Sequence, residues 1–125
     1  MKKLALYFLV STAIIFFTSC KKSPPVPPVN TEVEIRVKNA TPWIFYDCTV
    51  NAYNYGSVNI DAVSAYKTFA KAYRYASIAL SMNGKPYSII PIDNVGETSL
   101  ANGKYTYKLT YSATDDRLNM ELIKD

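Results

Sequence analysis

The chain has 125 residues, a formal charge of +4, two cysteines and no histidine. Without an imidazole, Ser-His-Asp and Cys-His catalysis, His-ligated zinc and a histidine pH switch are all excluded. Lys2 and Lys3 carry half of the excess charge, which falls to +2 without them, so the basic balance gives no argument for nucleic-acid binding.

Those two lysines precede an apolar run from Leu4 to Phe17, interrupted by Ser11 and Thr12. Its 14 residues would make a helix of about 21 Å, short of a bilayer core of about 30 Å. A basic start, a short apolar run and small residues after it predict a secretory signal peptide over residues 1–19. Its end, Phe17-Thr18-Ser19-Cys20, resembles the lipobox of bacterial lipoproteins. The resemblance implies that the Cys20 thiol receives a diacylglycerol, that the chain is cut before Cys20, and that the new amine is acylated. Two or more acyl chains hold a protein stably at a membrane, where one holds only marginally. Lys21 is not the acidic residue associated with inner-membrane retention in Gram-negative bacteria. The implied location is therefore the outer membrane of the cell envelope, on its periplasmic face. With Cys20 acylated, Cys48 has no disulfide partner and is expected to be a small buried core thiol.

Residues 20–31 combine the lipid site with a spacer. Pro24, Pro25, Pro27 and Pro28 flank Val26, and such density imposes an extended polyproline II path. At about 3.1 Å per residue the spacer reaches about 34 Å, enough to lift a domain off the headgroups.

Residues 32–125 read as one domain written in strands. Val33, Ile35 and Val37 alternate with Glu34, Arg36 and Lys38 in a first strand ending at Asn39. Cys48, Val50 and Ala52 alternate with Asp47, Thr49 and Asn51 in a second, and Asn54-Tyr55-Gly56 punctuates. Asp61 to Arg74 is alanine-rich but has no amphipathic stripe, so it is expected to be strand and loop, with a short strand over Ala65 to Phe69 and Tyr66 inward.

Tyr73 to Ile92 holds the clearest signal. Asn83-Gly84 is the preferred pair for a type I′ turn. It sets Met82 opposite Lys85, Leu80 opposite Tyr87, Ile78 opposite Ile89 and Ala76 opposite Pro91. Pro86 and Pro91 make Lys85 to Ile92 an edge whose pairing ends near Ile90. Tyr105, Tyr107, Leu109 and Tyr111 alternate in a penultimate strand, Leu118, Met120 and Leu122 in a last one, with a turn at Ala113 to Asp116. The expected fold is all-β: a two-sheet antiparallel sandwich of about seven strands, immunoglobulin-like or transthyretin-like.

The candidate binding residues are aromatic or apolar. Trp43 and Phe45 lie in the dense run Thr41 to Tyr46, which either presents an exposed tryptophan to a sugar face or protein, or plugs the sandwich end. Tyr73, Tyr75 and Ile92 fall, by the hairpin register, on the face opposite Ile78 and Leu80, either covered by Trp43 and Phe45 or open to a partner. Asp93, Asn94 and Glu97 offer oxygens, but their spacing matches no calcium loop. No catalytic residue, metal site or cofactor is expected. The expected function is a membrane-tethered, non-catalytic binding or envelope-assembly module with a protein or glycan partner and no nucleic acid. The alternative is a carboxylate-dependent glycan-processing enzyme.

Overall fold

The computed structural model describes residues 31–92 and 96–125. The signal peptide, Cys20, nearly all of the proline spacer, Asp93 and Asn94 lie outside the described residues. The described residues form an all-β sandwich without a helix, with eight strands rather than seven. They are β1 (Val33–Asn39), β2 (Phe45–Val50), β3 (Tyr53–Val58), β4 (Lys67–Phe69), β5 (Ile78–Met82), β6 (Lys85–Ile89), β7 (Gly103–Ser112) and β8 (Arg117–Lys124). One sheet runs β4-β1-β7-β8 and the other β3-β2-β5-β6. All pairs are antiparallel except β1 with β7, which run parallel.

The alternation of β1, β7 and β8 places one row of each strand on the core. Val33, Ile35, Val37, Tyr105, Tyr107, Leu109 and Leu118 are buried there. Phe45, Cys48, Val50, Ile78, Leu80 and Met82 face them from the other sheet. Burial pushes the Cys48 thiol up to about 12, so at neutral pH it is a protonated apolar filler.

The β5–β6 hairpin has the expected register, with Met82 opposite Lys85, Leu80 opposite Tyr87 and Ile78 opposite Ile89. Asn83 and Gly84 have φ of 49° and 71°, as a type I′ turn requires. Pairing ends at Ile89, before Ala76 could meet Pro91, and β6 is an edge strand. Gly84→Ala is expected to destabilise the domain by about 1 kcal/mol, because left-handed backbone is strained with a Cβ. No atom crowds that Cβ position, so a thermal melt reads the backbone strain alone; an unchanged midpoint would contradict the turn.

Three local expectations need correction. β2 starts at Phe45, because Asp47 adopts φ 49° and shifts the register between Phe45 and Cys48. That bulge breaks the alternation and turns Phe45 inward. Ala52 is not a strand residue facing the core but an exposed turn residue beside Asn51, whose φ is 51°. The chain then returns as β3, where Asn54 Oδ1 accepts from Gly56 N–H at 2.7 Å. Only Val58 of β3 is buried, so an edge strand had the composition of a turn.

Tyr66 is also not inward. It is half-buried on the outer face of the first sheet, with the Arg36 guanidinium 4.9 Å and the Lys104 ammonium 4.6 Å from its ring centroid. Phe69 makes the core contact instead. On that outer face, Asp125 accepts hydrogen bonds from Tyr66 and Thr106 and pairs with Arg36 at 3.3 Å. Burial raises the Asp125 carboxyl, but these partners outweigh it and hold the group below the usual carboxylate value.

Candidate functional site

Among the described residues, aromatic rings and polar contacts gather at the end of the sandwich where β1 turns into β2. Asn39 ends β1 in the inward phase and is fully buried. Its Nδ2 donates to the carbonyls of Trp43 at 2.7 Å and Val58 at 3.0 Å. Its Oδ1 accepts from the Thr41 backbone N–H at 2.9 Å and the Thr41 hydroxyl at 2.8 Å. One amide side chain thus gathers the loop that carries Trp43 and ties it to β3, and the Thr41 hydroxyl adds a second bond to the Trp43 carbonyl at 3.1 Å.

Trp43 is half-buried and meets Tyr111 edge to face, with ring centroids 5.0 Å apart. Tyr111 makes a second edge contact with Tyr87 at 6.0 Å. Both phenols donate to Asp116 Oδ1 at 2.8 Å, and Lys85 Nζ lies 3.6 Å from Oδ2. The β5–β6 hairpin supplies Tyr87 and Lys85, the β7–β8 hairpin Tyr111 and Asp116, so this contact ties the two sheets together.

The shared carboxylate polarises the group. The hydrogen bonds from Tyr111 and Tyr87 hold Asp116 below the usual carboxylate value. The bond to Asp116 raises the Tyr87 phenol to about 12 and raises Tyr111 in the same direction. A lowered carboxyl pKa contributes stability above the ordinary value near 3.8, lost as pH falls through the lower folded value. Raised phenol pKa values contribute stability below about 10, lost as pH rises toward about 12. Asp116→Asn is therefore expected to move the Tyr87 phenol back toward 10 in an alkaline ultraviolet or NMR titration. An unmoved phenol would rule out the bond to Asp116.

Beside this frame the surface is apolar and concave. Pro42, Trp43, Ile44, Tyr46 and Ile60 line a shallow, open hollow of about 410 Å³ bordered by the Asn83-Gly84 turn. Tyr46 is 51% and Ile60 47% exposed.

The candidate residues do not gather in one place. Phe45 is buried in the core and presents no surface. Trp43 is at the aromatic end against Tyr111, so neither covers Tyr75. Tyr73 is half-buried, and its carbonyl accepts from the Tyr107 phenol. Tyr75 and Ile92 are exposed, and Tyr75 lines a separate groove with Ile89, Ile90, Leu118 and Met120. Glu97 is exposed. The sequence reading missed Asn39, Tyr87, Tyr111 and Asp116 as site residues. The inward phase of β1 and the hairpin register were the available signals for Asn39 and Tyr87.

No protein-family model matches the chain, and no curated protein matches it. Among solved structures, the fold is similar to that in an NMR structure of a protein from Eubacterium rectale. The TM-score is 0.55 at 8% identity, over 80% of this chain and 96% of that one. The likeness concerns the fold: an all-β, two-sheet sandwich.

Proposed function

We propose that this protein is a lipid-anchored, non-catalytic binding module of the bacterial cell envelope. Acyl chains at Cys20 hold it at the outer membrane, on the periplasmic face, and the proline spacer carries the domain outward. Its Trp43 end contacts a protein or glycan partner. The observation supporting this reading is that Trp43, Tyr46 and Ile60 line an accessible apolar hollow, with Trp43 on a loop held by three hydrogen bonds of one buried asparagine that a fourth ties to β3. Rigid aromatic side chains give large contact area at low entropic cost, whether the partner is a sugar face or a protein.

The test has two arms. Cells expressing the full chain are labelled with palmitate, and label is expected in the protein but not in Cys20→Ser. Envelope pull-downs and glycan arrays then compare the chain with Trp43→Ala and Tyr46→Ala, and a loss of about tenfold in capture is expected from each anchor removed. A native product without acyl mass would end the anchoring claim. Undiminished capture by both variants would end the claim for the Trp43 end.

A further inference from the structure

Among the described residues the sandwich has edge strands β3, β4, β6 and β8. The first three are poor templates for a further strand. β3 pairs with shifted register and carries Gly56 at φ 68°, β4 has three residues, and β6 has five and contains Pro86. β8 is different. Its eight residues contain no proline or bulge and pair with β7 in unbroken register.

Asp125 N–H donates to the Lys104 carbonyl, which fixes the phase of that ladder. In an antiparallel pair, alternate residues turn both backbone groups to the same side. Arg117, Asn119, Glu121 and Ile123 therefore bond β7. Leu118, Met120, Leu122 and Lys124 direct N–H and C=O away from it. Among the described residues, no backbone hydrogen bond joins β8 to β6. β6 of the other sheet passes close to β8 without pairing with it, and an unpaired row of backbone groups of this kind is a template for strand addition.

We propose that β8 pairs antiparallel with β8 of a second copy of this chain, joining the two four-stranded sheets into one. The sequence of β8 selects both the occupant and the register. With Met120 at the two-fold axis, Leu118 lies opposite Leu122, Asn119 opposite Glu121, and Arg117 opposite Ile123. No like charges face each other, and Asp116 lies toward Lys124. Leu118, Met120 and Leu122 of each copy exchange about six backbone hydrogen bonds. Centring on Glu121 instead sets two carboxylates face to face, which disfavours it. Centring on Asn119 shortens the overlap. In the chosen register the incoming Leu118, Met120 and Leu122 lie on the core side of the sheet. There they roof the groove of about 350 Å³ where Tyr75 and Ile90 are otherwise 45% and 75% exposed.

Sedimentation of the full chain in mild detergent is expected to show a monomer–dimer equilibrium. Met120→Pro deletes an N–H that the monomer does not use, and is expected to weaken the dimer at least about tenfold with far-ultraviolet circular dichroism unchanged. Should that variant fold poorly, cross-linking decides. Asn119→Cys with Glu121→Cys, in a Cys20→Ser background, is expected to give a disulfide-linked dimer on mild oxidation, and Ser88→Cys on β6 is not. A monomer at about 100 μM without cross-linking would overturn the proposal. So would a dimer indifferent to Met120→Pro in a folded variant, or a β8 edge that captures only a foreign strand.

Discussion

Asn39→Ala is expected to cost about 3–5 kcal/mol and to release the Trp43 loop, because it strips partners from several buried groups at once. The alanine leaves the Trp43 and Val58 carbonyls and the Thr41 N–H without the bonds that Asn39 makes to them. Each buried group left unmade costs about 1–3 kcal/mol, and partial relaxation keeps the sum below the simple total. Asn39→Asp keeps the acceptor for Thr41 but removes the amide donor and adds a charge at a fully buried position, so it is expected to be no better tolerated. Thr41→Val removes one hydroxyl and is expected to cost about 1 kcal/mol. Urea denaturation gives the stability. Near-ultraviolet circular dichroism gives the loop, since Trp43 is the single tryptophan of the chain. An Asn39→Ala protein within about 1 kcal/mol of the parent, with an unaltered tryptophan band, would refute the pinning role.

The strands visible in the sequence are those with one face on the core. β1, β5, β7 and β8 alternate because burial selects one row of side chains, and Asn83-Gly84 fixes the β5–β6 register through local backbone chemistry alone. β3 was invisible because an edge strand with one buried residue needs no apolar row, and its Asn54 and Gly56 have the composition of a turn. β2 was misplaced because Asp47 inserts a residue that no alternation rule anticipates.

The site was less legible than the fold for a related reason. Trp43 was conspicuous, but its orientation depends on Tyr111 and, through it, on Asp116 and Tyr87, which come from hairpins distant in sequence. Asn39 looked like the end of a strand. Its phase, continuing Val33, Ile35 and Val37, already put it inward, and a buried asparagine must find partners for its amide. The parallel pairing of β1 with β7 is a non-local contact and left no mark in the sequence of either strand.

Phe45→Ala is expected to destabilise the domain by about 3–5 kcal/mol, the range for truncating a fully buried phenylalanine. Its neighbour sets the contrast. Tyr46 is 51% exposed, and Tyr46→Ala is expected to change stability by no more than about 0.5 kcal/mol while weakening capture at the Trp43 end. The two outcomes depend on the bulge at Asp47, since a shift of one residue would exchange the faces of Phe45 and Tyr46. Phe45 lies opposite Val58 across β2 and β3, so its loss also removes an apolar contact of the edge strand, which Tyr55 still ties to β1 through its hydrogen bond to the Ile35 carbonyl. Denaturant midpoints of the two variants read the register directly. If Tyr46→Ala were the costly change and Phe45→Ala the silent one, β2 would have to be threaded one residue out of phase, and the hollow built from Tyr46 would disappear with it.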